Sequence, residues 1–363
     1  MDNSKIKNFS IINPNKKSYN DIKISLNNFT LYLDIIGGHS FFIEIPGGYL
    51  LKSTTDNEIN FYYNSPPTNI TPHFYGVITK TDPQYQYITT FLNQCKSFFR
   101  SFLLSHNIKA EDINIENDSN FIVNFNNYIN DSFNMYNQLQ LNETFSDLQR
   151  KLEELNQDKL NWILFWFVKW KDNFLNYDYI ILENLLYNMV NPAIIDIKIG
   201  STPRISKELK TVKRFGQALQ TFGCRIMGLQ KGNVFINRYE SRNYSYEDFI
   251  SKIYLFFGGD EKGNVDKQLI NRSLYLINNV KNEFEKHNKD FTIKFSSLLI
   301  VYDCGVSDYT TLKVYLIDFS YYERIIIETK VQLLDNNTND KQCNDLIQAM
   351  DNLVNIISNL GQI

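Results

Sequence analysis

The chain has 363 residues, 43% hydrophobic, 15% aromatic and 21% charged, enough for about two domains or one domain of two lobes. A small disulfide scaffold, a collagen-like repeat and a disordered chain are excluded. A formal net charge of −3 excludes a globally basic nucleic-acid binder but not a local patch that takes a compact anion.

Cys95, Cys224, Cys304 and Cys343 form no CxxC pair, and the four histidines fall at no metal-ligand spacing. Reduced thiols in an intracellular protein, cytoplasmic or nuclear, are the expectation. MDNSKIKNFS lacks the apolar stretch of a secretory signal, and the most apolar run, Trp162 to Val168, is far short of the roughly 20 residues that span a bilayer.

In chain order, LYLDII, FFIEI and YLLK are separated by Gly37-Gly38 and Pro46-Gly47-Gly48, which predicts an antiparallel meander. DNEINFYYN follows, with Glu58, Phe61 and Tyr62 at helical spacing. Residues 1–78 thus read as a small β-rich lobe with one packed helix. Residues 79–177 shift to Asn, Tyr and Phe, and the pieces FLNQCKSFFRSFLLSH and ETFSDLQRKLEELNQDKLNWILFWFVKW predict a helical insertion. Residues 178–363 return to strand patterns, IILENLL, PAIIDIKIG, FSSLLIVYD and VYLIDFS, the last two expected as central strands. A helix is predicted from Asp340 to Leu360 by the spacing of Leu346, Met350, Leu353 and Ile357.

Four features carry chemistry. In PAIIDIKIG, Asp196 and Lys198 lie two apart and project from one face of a strand. A carboxylate and an ammonium in so apolar a run are either a strand-end ion pair or a functional pair, since buried charge is costly unless satisfied. Beyond it, STPRISKELKTVKRFGQAL reads as a helix with Thr202 as N-cap and Pro203 in the first turn. There Arg204, Lys207, Lys210, Lys213 and Arg214 set five cations against Glu208, as a solvated face or a seat for a polyanion. Asp318 ends an apolar strand, as a plain terminator or as a carboxylate for Mg²⁺. Lys52 ends another strand, with Glu58 opening the next helix, an arrangement that can neutralise and orient nucleotide phosphates.

Taken in order, Gly37-Gly38-His39, the GGYLLK run ending at Lys52, Glu58 with Phe61 and Tyr62, LEN at 182–184, PAIIDIKIG, RIMG at 225–228, SSLLIVYD and IDFS resemble the inositol polyphosphate kinase family. The resemblance covers about residues 31–77 and 179–357. It implies an α+β fold of two lobes, protein-kinase-like or ATP-grasp-like, with a small antiparallel β lobe and a larger α/β catalytic lobe.

It further implies Mg²⁺ and ATP as cofactors and soluble inositol polyphosphates as partners. A monomer that binds no nucleic acid is the expectation. By position, Glu183 and Leu185 match the hinge that meets adenine, and Asp196 the acid that binds ribose. Lys52 matches the lysine on the ATP phosphates, and Lys198 the lysine that reaches substrate and transferred phosphoryl. Asp318 matches the Mg²⁺ ligand, with Ser296 or Ser297 beside it and Ser297 assigned to the metal. Lys207, Lys210, Lys213 and Arg214 would hold substrate phosphates.

Two departures stand out: Ser320-Tyr321-Tyr322-Glu323 follows IDF where the family has Ala or Gly and a short polar stretch, and Ser53 replaces a proline. Only 24 residues separate Gly200 from Arg225, where the trisphosphate 3-kinases of the family carry a large helical lobe. The site should therefore be open, as in a multikinase or a hexakisphosphate kinase. No Arg-Gln-His run follows PAIIDIKIG, which favours the multikinase. The alternative from another class is a catalytically weak inositol-phosphate-binding scaffold.

Overall fold

A computed structural model describes residues 29–38, 40–64, 69–130, 143–200, 219, 221–287, 291–293, 295–324 and 336–360. The small-lobe sheet has the order β1 (Thr30–Leu31), β2 (Phe42–Ile45), β3 (Tyr49–Thr54), β5 (Asp178–Glu183), β4 (Phe74–Ile78), antiparallel at each pairing. Gly47 and Gly48 turn β2 into β3 with φ of 94° and 82°, a region open to glycine and strained for other residues. Helix α1 (Asp56–Asn64) buries Glu58, Phe61 and Tyr62, the three residues its spacing placed on one face.

Between β4 and β5 the chain makes α2 (Tyr85–Ser105), α3 (Ala110–Ile113), α4 (Ser119–Asn130), α5 (Glu143–Glu153) and α6 (Gln157–Trp170). The long pattern from Glu143 to Trp170 breaks in two because Asn156 caps α6, its side chain accepting from Lys159 N at 2.9 Å. Every residue from Trp162 to Val168 is buried. That is the signature of a helix enclosed on all sides, and it accounts for the most apolar run of the sequence without a membrane. No helix among the described residues is long and apolar enough to cross one.

The second sheet has the order β11 (Lys313–Ile317), β10 (Ser297–Asp303), β6 (Pro192–Ile199), β7 (Cys224–Lys231), β8 (Val234–Ile236), again antiparallel. Helices α7 (Tyr246–Phe256), α8 (Lys267–His287) and α9 (Asn336–Leu360) cover one face, and β9 (Phe291–Ile293) pairs with β12 (Tyr322–Arg324) beside it.

Two expectations change. LYLDII was expected as a strand, yet only Leu31 belongs to one. Tyr32 N still donates to Phe42 O of β2 at 3.4 Å, but Leu33–Gly38 leaves the sheet and crosses to β7, where Ile36 O lies so close to Gly228 that a Cβ there would sit 2.1 Å away. VYLID, expected as a central strand, is the edge strand β11. Helix α8 packs on it, and Leu316 N donates to Ile70 O of the small lobe at 2.7 Å, so an edge can still be apolar.

Strand β5 faces two cores. Tyr179 and Ile181 pack with the helices of the insertion, whereas Ile180 and Leu182 pack with α1 and the second sheet, as the period of two requires. The same alternation sorts β6: Ile195, Ile197 and Ile199 enter the core under α7–α9, leaving Ile194, Asp196 and Lys198 on the opposite face, toward the small lobe.

Candidate active site

Lys52 sits near the end of β3, only 5% exposed. Its ammonium lies 2.7 Å from Glu58 Oε1 and 2.8 Å from Asp318 Oδ1. Burial works against the charge, but the carboxylates of Asp318 and Glu58 hold its pKa above the ordinary lysine value. Glu58 is fixed in turn: Thr54 Oγ1 donates to Oε2 at 2.5 Å, and Phe319 N approaches Oε1 at 3.4 Å. The strand lysine and the helix acid, six residues apart, are one buried ion pair.

Asp318 follows β11 with φ of 66°, a left-handed conformation that Asp tolerates better than most residues. Ser296 Oγ donates to its carbonyl at 3.2 Å, and the next ring, Phe319, stacks on Phe61 of α1 at 3.6 Å. The turn is thereby clamped between β10 and α1. Of the residues that depart from the family pattern, Tyr322 is buried against Phe61 and Phe291, and Tyr321 lies against Phe295. The β12–β9 pairing carries this stretch away from Asp318.

On β6, Asp196 is 6% exposed. Burial and the repulsion of Asp318 push its carboxyl up to about 7, against the opposing pull of Ser297, Lys198 and Lys52. Its Oδ1 is buried and has no hydrogen-bond partner among the described residues. Gly37 lies over it: a Cβ on that glycine would sit 3.5 Å from Asp196 Oδ2 and 3.0 Å from Met227 O. Lys198 Nζ donates to Phe295 O at 2.5 Å. The strand-end surface ion pair is therefore not what β6 builds, since the acid is enclosed under the glycine loop.

The remaining expected residues are spread around this centre. Glu183 N donates to His73 O at 2.9 Å, and its carboxylate takes Lys313 Nζ at 2.6 Å. Asn184, the next residue, donates its N–H to Gly48 O at 2.8 Å. No hydrogen bond among the described residues engages the Leu185 N–H. Ser297 directs its hydroxyl to Asp196, and Ser296 its own to the Asp318 backbone. Lys207, Lys210, Lys213 and Arg214 lie outside the described residues.

Residue-level reading passed over Arg225. It stands opposite Lys198 in the β6–β7 register, and burial together with the nearby Arg242 and Arg238 brings its guanidinium down to about 10. The visible signal was the arginine of RIMG, one cation in a strand otherwise apolar at its start. Ser53, in place of the family's proline, donates its N–H to Phe41 O at 2.9 Å and accepts from Phe41 N at 2.7 Å through its hydroxyl. A proline could do neither.

Among the described residues no three His, Cys, Asp or Glu side chains gather as a metal cage. Mg²⁺ is commonly held by one or two carboxylates plus substrate phosphates, and Asp318 and Asp196 are close enough to repel each other. The buried Oδ1 of Asp196, without a partner among the described residues, can accept one hydrogen bond from a ligand.

Residues 179–358 match the family model described as Inositol polyphosphate kinase. Curated relatives include inositol hexakisphosphate kinase 2 of Homo sapiens, 26% identical over 139 residues, and that of Rattus norvegicus, 25% identical over the same length. These matches cover 35% of this chain and 32% of each relative, so the chain spans about a third of their length. Among solved structures, the inositol phosphate multikinase of S. cerevisiae with ADP and Mn²⁺ is 20% identical, with a TM-score of 0.37, over 51% of this chain and 84% of that one.

Proposed function

Because this chain belongs to the inositol polyphosphate kinase family, we propose that it transfers phosphoryl groups from ATP, with Mg²⁺, to soluble inositol polyphosphates through an open, multikinase-like site. The observation that carries the reading is Lys52, whose ammonium joins Glu58 of the small lobe to Asp318 of the large lobe. Bound Mg-ATP supplies the phosphoryl group and a cation that offsets phosphate charge, leaving positioning and charge neutralisation to the protein.

Lys52, oriented by Glu58, holds the nucleotide phosphates, and Asp318 with the Ser297 hydroxyl nearby holds the metal. Asp196 accepts from ribose, and the hinge around Glu183 and Leu185 meets the base. Lys198 offsets charge on the transferred group, with Arg225 beside it. Lys207, Lys210, Lys213 and Arg214 receive the outer phosphates of the ring.

A second reading, pyrophosphate formation on a fully phosphorylated ring, is favoured by the hexakisphosphate kinases among the relatives. Incubation with Mg-ATP and a panel of inositol phosphates, resolved by anion exchange, separates the two. Products from partly phosphorylated rings support the multikinase, and a product more charged than the hexakisphosphate supports the second. No product from any substrate overturns both in favour of a binding protein without turnover.

A further inference from the structure

The helical insertion has no part in the roles above, yet α6 reaches the site. Lys159 Nζ, on a side chain 7% exposed, lies 2.8 Å from Asp34 Oδ1 and 2.8 Å from Gln230 Oε1, tying α6 to the glycine loop and to β7 at once. One turn on, Trp162 Nε1 donates to Ile35 O at 2.8 Å. A further turn on, Trp166 stacks on Phe41 at 5.7 Å and 6°, and Ser53 holds the backbone of Phe41. Arg238 Nη1 reaches Gly38 O at 3.3 Å. Between these anchors Ile36 O packs against Gly228, and Gly37 packs against Met227 O and beside Asp196 Oδ2.

The carboxylate assigned to ribose is thus enclosed by the loop, and its Oδ1 becomes reachable when the loop lifts. We propose that α6 is a latch on the nucleotide site: Lys159 and Trp162 hold the Asp34–Gly38 loop down over Asp196, and the insertion sets how readily nucleotide enters. The inference rests on the kinase reading of Asp196. Both groups act as positioning residues, through the loop. A ligand that binds only the lifted state has its affinity reduced by the fraction of molecules in that state, so loosening the latch strengthens binding.

The test is Mg-ATP titrated calorimetrically into the whole chain, with thermal melting to verify folding. Lys159→Met keeps the aliphatic stem and Trp162→Phe keeps most of the ring, and each removes one anchor. Gly228→Ala pushes on Ile36 O from beneath and shifts the loop by an independent route. Each is expected to bind nucleotide about threefold to tenfold more tightly than the unmodified chain, with faster amide exchange at Ile35–Gly38. Lys159→Arg, which keeps the charge, restores the original affinity. If the unmodified chain binds nucleotide and the folded variants bind equally or more weakly, the latch is wrong and the kinase reading stands. If the unmodified chain binds no nucleotide at all, the kinase reading fails and the latch with it.

Discussion

The Lys52 cluster and the face of β6 place charge in the same cleft by opposite means. Lys52, Glu58 and Thr54 form a closed set in which the lysine meets two carboxylates and both oxygens of Glu58 are engaged. Asp196, a few strands away, keeps one buried oxygen without a partner and a pKa lifted to about 7. The first arrangement is complete before any ligand arrives, which orients a group at no later cost. The second is incomplete, and an incomplete buried polar site is stable in company with the ligand that completes it.

The largest effect is expected at Lys52. Lys52→Met leaves two buried or half-buried carboxylates without their cation, and removing one partner of such a set costs about 3–5 kcal/mol. Denaturant unfolding should show a loss of that order together with loss of turnover. A variant as stable as the original chain would mean that the cluster is not closed.

Asp318→Asn comes next. It takes from buried Lys52 one of its two carboxylates and keeps the side-chain shape, so the melting temperature should fall by less than in Lys52→Met, where the whole set is broken. On the kinase reading, loss of one such electrostatic contact is worth about 10²–10³ in rate, so turnover of the folded variant should fall at least that far. Wild-type rates would remove Asp318 from the mechanism.

Asp196 sharpens the contrast through pH. Its folded-state pKa of about 7 lies above the ordinary value of 3.8, so as pH rises between the two the unfolded chain gives up its proton first. Stability of the ligand-free protein therefore falls across that window, by at most about 1.4 kcal/mol per pH unit, and levels off above it. Asp196→Asn should flatten this slope in unfolding measured from pH 4 to 8, and an unaltered slope would assign it to other groups. The smallest effect belongs to Lys313→Met, which removes a partly exposed ion pair with Glu183 worth about 0.5 kcal/mol.

The local pieces of this architecture were legible where one period held without interruption. PAIIDIKIG alternates cleanly, so the register of Asp196 and Lys198 could be read, as could the helical face of Glu58, Phe61 and Tyr62. LYLDII alternates as well but is not a strand, because its partners are Gly228 below and α6 above, both remote in sequence. VYLID reads as central since its apolar content reports burial, which an edge strand covered by a helix also enjoys. Arg225 needed the β6–β7 pairing, and Ser53 needed Phe41 across the hairpin. What the sequence could not disclose were contacts between segments remote in the chain, such as Lys52 with Asp318, 266 residues apart.

The hinge can also be followed residue by residue. Asn184 is fixed to the small lobe, its N–H on Gly48 O and its side chain on Glu44, and the turn runs on to Met189, whose N–H returns to Leu186 O. From Val190 onward the chain belongs to the large lobe: Val190 N and Asn191 N both donate to the carboxylate of Asp303, and Asn191 O accepts from Cys304 N. The chain thus passes from one lobe to the other within a few residues, Asn188 among them at a φ of 66°, and what keeps the lobes in register lies outside this crossing: the Lys52–Asp318 ion pair and the bond from Leu316 N to Ile70 O.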